Sequence, residues 1–287
     1  MKLSAPELRE RAAQAREQYA SCLLCAHRCG VDRRSGPAGI CNEGDGLWLA
    51  GAGVQLGEEP QLVPSGLLLI GGCNLACQTC ETFDFSLERR GLTAVSPEEL
   101  AALLLDLQRQ GASNANFVTP THVLPAVLEG LAVAAQAGFA LPVVWNCGGY
   151  ESLEALRLLE GIVDFYLPDA KYGDDAAAFE LSGCKRYTAA LRESLAEMHR
   201  QVGPSRIIIR HLVLPEGVAA PEKVMPLIAG ISRDLCVNVM SQYRPVFRAA
   251  RFPVIARGVT AVEVRAAVAA ARAAGLQSIL VDGRPAA

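Results

Sequence analysis

From residue 66 onward, short apolar runs alternate with longer stretches in which apolar positions recur every three or four residues. The runs predict strands over 66–71, 114–119, 142–147, 162–169, 206–214, 236–241 and 278–282. The periodic stretches predict helices near 97–110, 122–137, 151–160, 187–201, 221–232 and 260–274. Ser96-Pro97-Glu98-Glu99 marks one helix start, with Ser96 as N-cap, proline in the first turn and Glu99 placed for a capping box. Alternation with short connections implies parallel strands joined by right-handed crossovers. Phe165-Tyr166-Leu167 and Ile207-Ile208-Ile209 are apolar throughout, as strands covered on both faces are. The class is therefore α/β. A closed or partly open β/α barrel fits better than a doubly wound sheet, because no G-x-G-x-x-G follows the first strand.

The N-terminal part reads differently. Residues 4–20 form a polar helical stretch, and residues 42–64 a glycine-punctuated, β-rich linker. Between them lie Cys22, Cys25, Cys29 and Cys41 in a C-x2-C-x3-C-x11-C spacing. Turn formers from Gly30 to Gly39 leave little apolar surface there, so a bound metal is expected to organise the segment. Four thiolates suit zinc (Zn2+) and an auxiliary iron–sulfur cluster equally. Two domains are expected: residues 1–60, a helix with a metal-binding segment and linker, and residues 61–287, the β/α body.

Composition and charge exclude some partners. The 287 residues are 51% hydrophobic with a net charge of −3, enough for a sizeable core but without the basic footprint that nucleic acid needs. The charged N-terminus lacks a signal-like apolar region, and no apolar run is long enough to span a bilayer. Ten cysteines clustered at metal spacings, rather than spread as a disulfide framework, point to a cytoplasmic protein.

The chemistry concentrates behind the strand at 66–71. There Gly71-Gly72-Cys73-Asn74-Leu75-Ala76-Cys77-Gln78-Thr79-Cys80 presents three thiols in a C-x3-C-x2-C spacing. Soft thiolates suit an iron–sulfur cluster, which normally takes four of them. Three leave one iron of a four-iron cluster open to a substrate or cofactor. A structural zinc would need a fourth ligand, and no histidine lies nearby in the sequence. Ordinary core cysteines do not crowd three into eight residues behind a Gly-Gly turn.

Active sites of β/α barrels lie at the C-terminal ends of the strands, which singles out further residues. Thr119 and Thr121 follow the second strand, and Thr121 serves equally as a ligand or as the cap of a helix beginning at His122. Asn146 is polar at the end of the third, just ahead of Gly148-Gly149. Asp169 and Lys171 share a face after the fourth, fit to hold a zwitterion or to form a surface ion pair. Arg210 in the fifth is costly to bury unpaired and should meet a carboxylate or a ribose, whereas His211 on the opposite face reads as structural. Gln242 and Tyr243, after the sixth, are further polar side chains placed to reach a bound ligand. His27 and His199 read as surface residues, and Cys147, Cys184 and Cys236 as ordinary thiols.

The run from Cys73 to Cys80 resembles the signature of radical S-adenosylmethionine (SAM) enzymes. That resemblance implies a partial (β/α)6 barrel, a [4Fe–4S] cluster on Cys73, Cys77 and Cys80, and SAM chelating the open iron. It also implies one-electron cleavage of SAM to methionine and a 5′-deoxyadenosyl radical. Thr79 departs from the pattern, which often has an aromatic residue before the last cysteine.

Four further stretches widen the likeness: Phe117–His122, Tyr166–Tyr172, Arg210–Pro215 and Met240–Tyr243. Together with the four-cysteine segment they resemble the proteins labelled pyruvate formate-lyase activating enzymes of the PflX type. In glycyl-radical activating enzymes an Asp-x-Lys after the fourth strand and an Arg in the fifth contact SAM, roles that carry over to Asp169, Lys171 and Arg210. Asn146 stands where those enzymes place an acidic residue near a cation, and its neutral side chain weakens a monovalent-cation site. The implied partners are SAM, a reductant such as flavodoxin or ferredoxin, and a glycyl radical enzyme as protein substrate. Two alternatives remain open: a radical SAM enzyme acting on a small molecule or peptide, and a non-catalytic zinc or electron-transfer iron–sulfur protein.

Overall fold

Apolar runs become strands and periodic stretches become helices along most of the computed structural model, which describes residues 3–57 and 59–286. The chain divides into two units: residues 1–74, 82–147 and 151–165 form the first, and residues 75–81, 148–150 and 166–287 the second.

The first unit holds α1 (Ala5–Glu17), β1 (Leu47–Gln55), β2 (Ser65–Ile70), the single turn α2 (Phe83–Ser86), β3 (Thr93–Val95), α3 (Pro97–Arg109), β4 (Asn114–Val118), α4 (Leu124–Gln136), β5 (Val143–Cys147) and α5 (Leu153–Leu158). Its strands lie in the order β3-β1-β2-β4-β5. Strands β2, β4 and β5 are parallel, with Leu68 opposite Phe117 and Phe117 opposite Trp145, all three buried. The linker foreseen at 42–64 supplies β1, which runs antiparallel to both β2 and β3. The capping box at Ser96 forms as expected and starts α3. Helix α4 packs against α1 and α3, and Gly130 permits the approach, since a Cβ there would collide with Leu100.

The second unit begins within β6 (Phe165–Pro168) and continues through α6 (Asp175–Ser182), α7 (Tyr187–Val202), β7 (Ile208–Leu212), α8 (Pro221–Ala229), β8 (Cys236–Met240), α9 (Ala261–Ala273), β9 (Ser278–Val281) and β10 (Arg284–Pro285). Strands β7, β8 and β9 are parallel, and β10 folds back antiparallel on β9. Parallel bridges join Tyr166 to Ile207 and Asp169 to Arg210. The architecture is thus mixed α/β with parallel strands at its centre.

Three departures from expectation have local causes. The strand foreseen at 162–169 starts only at Phe165, because the amides of Ile162 and Val163 bond back to Leu159 O and finish the turn after α5. Helix α6 was not foreseen, although its ends are well marked. Asp174 accepts the amides of Ala176 and Ala177, and Gly183 closes the helix at φ 70°. Edge strands β3 and β10 span three and two residues, too short for a periodic signal. Among the described residues no helix is long and apolar enough to cross a membrane.

Candidate active site and metal-binding cysteines

The loop after β2 opens at Gly71 and Gly72, where packing is tight. Gly72 has φ 80°, and a Cβ there would collide with the Glu43 carboxylate and the His122 ring. His122 is buried and its Nε2 donates to Gly71 O at 2.9 Å. Among the described residues its Nδ1 has no partner, so protonating it would bury an unsatisfied N–H. Burial lowers the His122 pKa to about 4, the Gly71 carbonyl opposes this, and the Arg33 and Arg89 cations reinforce it. Glu43, itself buried, forms an ion pair with Arg89.

Arg33 is the centre of the four-cysteine segment. It is wholly buried, and its N–H groups donate to Glu43 O at 2.9 Å, Gly44 O at 2.5 Å and His122 O at 2.5 Å. The guanidinium also lies 4.8 Å from the Tyr19 ring centroid and 3.9 Å from Cys22 Sγ. Cys22 and Cys25 are buried, Cys41 half-buried and Cys29 exposed. Burial pushes the Cys25 thiol up to about 12, with Cys22, Cys41 and Cys29 each adding to the shift, so the four thiols lie within electrostatic reach of one another. Burial raises Cys41 as well, against the pull of Arg33. Among the described residues no three Cys, His, Asp or Glu side chains are drawn together to hold a metal ion. The donor set itself, four thiols on one short segment, is of a kind that suits a thiolate-bound metal.

Of the expected SAM contacts, Thr119, Thr121 and Asn146 fall in the first unit, as does Cys73. Asn146 is buried and in register with Val118, so Thr119 and Asn146 mark adjacent strand ends. Thr121 caps no helix: it lies in a turn of 3-10 helix ahead of α4, and its hydroxyl donates to Glu151 Oε1 at 2.9 Å. Glu151 in turn forms a backbone bridge with Cys25. His27, expected at the surface, is half-buried, and its Nε2 donates to Asn74 O at 2.9 Å.

The second unit gathers Cys77, Cys80, Asp169, Lys171 and Arg210. The Cys80 amide donates to Cys77 O at 3.3 Å. Lys171 Nζ lies 2.5 Å from Asp169 Oδ2, and Asp169 bridges Arg210 along the neighbouring strand. Burial opposes the charge on Lys171, but Asp169 and then Cys77 outweigh it and hold the ammonium well above its usual pKa. Burial raises the Cys77 thiol, with Lys171 pulling the other way. Gly149, at φ 71°, lies against the backbone of Asp169, where a Cβ would collide with its carbonyl. His211 is structural as expected: it is buried, its Nδ1 donates to Ala170 O at 2.7 Å, and burial lowers its pKa. Tyr243 is buried, and its hydroxyl donates to Ile255 O at 2.7 Å. Gln242 is exposed.

Two groups escaped the sequence. Arg33 carries no local signal, because nothing around it in the chain announces a buried charge. Ser182, at the end of α6, donates to Cys77 Sγ at 3.0 Å and accepts from or donates to Tyr172 OH at 2.8 Å. The caps Asp174 and Gly183 would have exposed that helix.

No family model matches the chain. Among curated proteins it is 33% identical over 263 residues to the uncharacterized protein MJ0674 of Methanocaldococcus jannaschii, covering 88% of this chain and 75% of that one. The chain belongs to the family of that protein. Among solved structures, a radical SAM methyltransferase from Sphaerobacter thermophilus matches with a TM-score of 0.57 and 15% identity, over 98% of this chain and 93% of the other. HydG, a maturase of the [FeFe]-hydrogenase, matches with a TM-score of 0.51 and 12% identity, over 73% of this chain and 49% of its own. At these identities the likeness is one of fold: this family member has the fold of radical SAM enzymes.

Proposed function

We propose that the protein is a radical SAM enzyme in which Cys73, Cys77 and Cys80 hold a [4Fe–4S] cluster and Thr119, Asn146, Asp169, Lys171 and Arg210 position SAM. The observation that carries this reading is the C-x3-C-x2-C loop leaving β2 in a chain that shares its fold with a radical SAM enzyme over 98% of its length. The donor chemistry of the second unit fits the cofactors: thiols at Cys77 and Cys80 for iron, and an acid–base pair for a zwitterion.

Bound together, a reduced cluster and SAM supply a 5′-deoxyadenosyl radical that takes a hydrogen atom from the substrate. The protein's own part is orientation. Lys171 and Arg210 offer cations to the carboxylate of SAM, and Asp169 an acceptor to its amino group. Asn146 and Thr119 offer neutral polar groups at neighbouring strand ends. The hydroxyls of Thr121 and Tyr243 are held by Glu151 and Ile255, so these residues shape the site rather than donate to a ligand. Gln242 is free to approach the adenosine.

The four N-terminal cysteines hold a second metal, zinc or an auxiliary cluster. The stretches from Phe117 to Tyr243 that resemble activating enzymes support a glycyl radical enzyme as the hydrogen donor, with a flavodoxin- or ferredoxin-type reductant in the cytoplasm supplying the electron. Anaerobic reconstitution with iron and sulfide, then dithionite and SAM, tests the reading. The expected product is 5′-deoxyadenosine, with Cys77→Ala making none. If the reconstituted protein makes none either, the proposal fails.

A further inference from the structure

The C-terminal end of α6 grips the cysteine loop on both sides of Cys77. Leu181 O accepts the Gln78 amide at 2.8 Å, and Ser182 O accepts the Ala76 amide at 3.2 Å. Gly183 then turns the chain away at φ 70°, so Ser182 is the last helical residue and its side chain faces the loop. Its Oγ lies 3.0 Å from Cys77 Sγ and 2.8 Å from Tyr172 OH. Ser182 is fully buried and Tyr172 nearly so, at 0% and 2% exposure, which keeps water from substituting for either partner.

Proton inventory fixes the direction of this chain. A serine hydroxyl has one proton and accepts through its lone pairs. A sulfur bound to iron is a thiolate and can only accept. Ser182 therefore gives its proton to Cys77, and Tyr172 must donate to Ser182. The order is Tyr172 O–H to Ser182 O–H to Cys77 Sγ, and such chains strengthen each member through polarisation.

We propose that Ser182, oriented by Tyr172, donates a hydrogen bond to the cluster ligand Cys77 and thereby raises the reduction potential of the cluster. This rests on the reading of Cys73, Cys77 and Cys80 as cluster ligands. One-electron reduction adds negative charge that the ligand sulfurs share, so a donor aimed at one sulfur favours the reduced state. The electron comes from the external reductant, and no bond to Ser182 or Tyr172 forms or breaks. Ser182 is a positioning and tuning residue; it touches neither SAM nor substrate in this role.

The test is an EPR-monitored redox titration of the anaerobically reconstituted full chain, reading the signal that changes when SAM is added. Ser182→Ala should lower the ratio of reduced to oxidised cluster about tenfold at a fixed potential, equivalent to ~59 mV for one electron. Ser182→Thr keeps a hydroxyl and should restore the wild-type titration. Tyr172→Phe should move the potential the same way by a smaller amount. Iron and sulfide content is measured alongside. If Ser182→Ala fails to keep a full cluster, Tyr172→Phe decides: a lowered potential supports the proposal and an unchanged one overturns it. Full cluster content with unshifted titrations in both variants also overturns it. A variant with Cys73, Cys77 and Cys80 replaced that still shows the SAM-responsive EPR signal would instead sink the underlying ligand assignment.

Discussion

The two cysteine regions surround their thiols with different chemistry. Around Cys22, Cys25, Cys29 and Cys41 the protein buries a full charge: Arg33 cannot lose its proton, and its planar fork is spent on three backbone carbonyls and the edge of Cys22. Around Cys77 the nearest donor is a neutral hydroxyl, relayed from a second hydroxyl, while the nearby cation of Lys171 is already held by Asp169. A fixed charge that also ties together segments remote in sequence is a structural brace. A dipole adjusts the electronics of one sulfur without adding charge to its surroundings. Damage at Arg33 should therefore be read in stability, and damage at Ser182 in redox behaviour.

Arg33→Met is the harshest test of that division. It removes the partners of Glu43 O, Gly44 O and His122 O at once and leaves them in the interior. Unmade bonds of buried groups and the loss of a buried cation together should cost roughly 3–5 kcal/mol, read as a fall in the urea midpoint, with loss of metal from the N-terminal cysteines. Arg33→Lys should recover little, because an ammonium cannot span three carbonyls in one plane. A change under ~1 kcal/mol would break the comparison, since surface substitutions cost no more.

How far each region was legible in the sequence follows from the same contrast. Both cysteine groups stood out by spacing, and most strands and helices from β2 onward, α6 and the short edge strands apart, were legible because apolar runs and 3.6-residue periodicity survive in single segments. Asp169, Lys171 and Arg210 were legible because strand alternation places them, and the bridge between Asp169 and Arg210 joins them as neighbours. Arg33 and Ser182 were not, because their roles depend on partners far along the chain: His122 for the one, Cys77 for the other. The partners of the Thr121 and Tyr243 hydroxyls, Glu151 and Ile255, were hidden for the same reason, since only the fold brings them close.

Acid should reveal the brace more gently. His122 is neutral when folded, with Nε2 on Gly71 O and Nδ1 without a partner among the described residues, near Arg33, Arg89 and the Glu43 carboxylate. Its pKa falls from 6.5 to about 4 on folding, so the unfolded chain binds the extra proton between those values. The stability it confers is complete above the unfolded pKa and is lost as pH falls toward the folded one, about 2 kcal/mol between pH 7 and pH 5. His211, also lowered by burial, adds slope of the same sign. Urea midpoints at the two pH values should therefore differ, and His122→Gln should flatten the difference. If the variant keeps the full slope, the ring is not part of the brace.

The smallest expected effect bears on the other region and depends on a sign rather than a size. Ser182→Ala leaves the Tyr172 proton buried with no acceptor, which should cost on the order of 1–2 kcal/mol in the urea midpoint. Tyr172→Phe alone should cost about 1 kcal/mol, since Ser182 keeps Cys77 as its acceptor and loses only a donor. If the two hydroxyls act in series, the double variant removes the orphaned proton together with its lost partner. It should then be no less stable than Ser182→Ala, and up to ~1 kcal/mol more so, a coupling within the range that double-mutant cycles resolve. Additive losses would mean that Tyr172 and Ser182 are satisfied separately. Cys77 would then be left with a lone serine and no relay behind it, and the distinction between a charged brace and a polarised chain would reduce to a difference in charge alone.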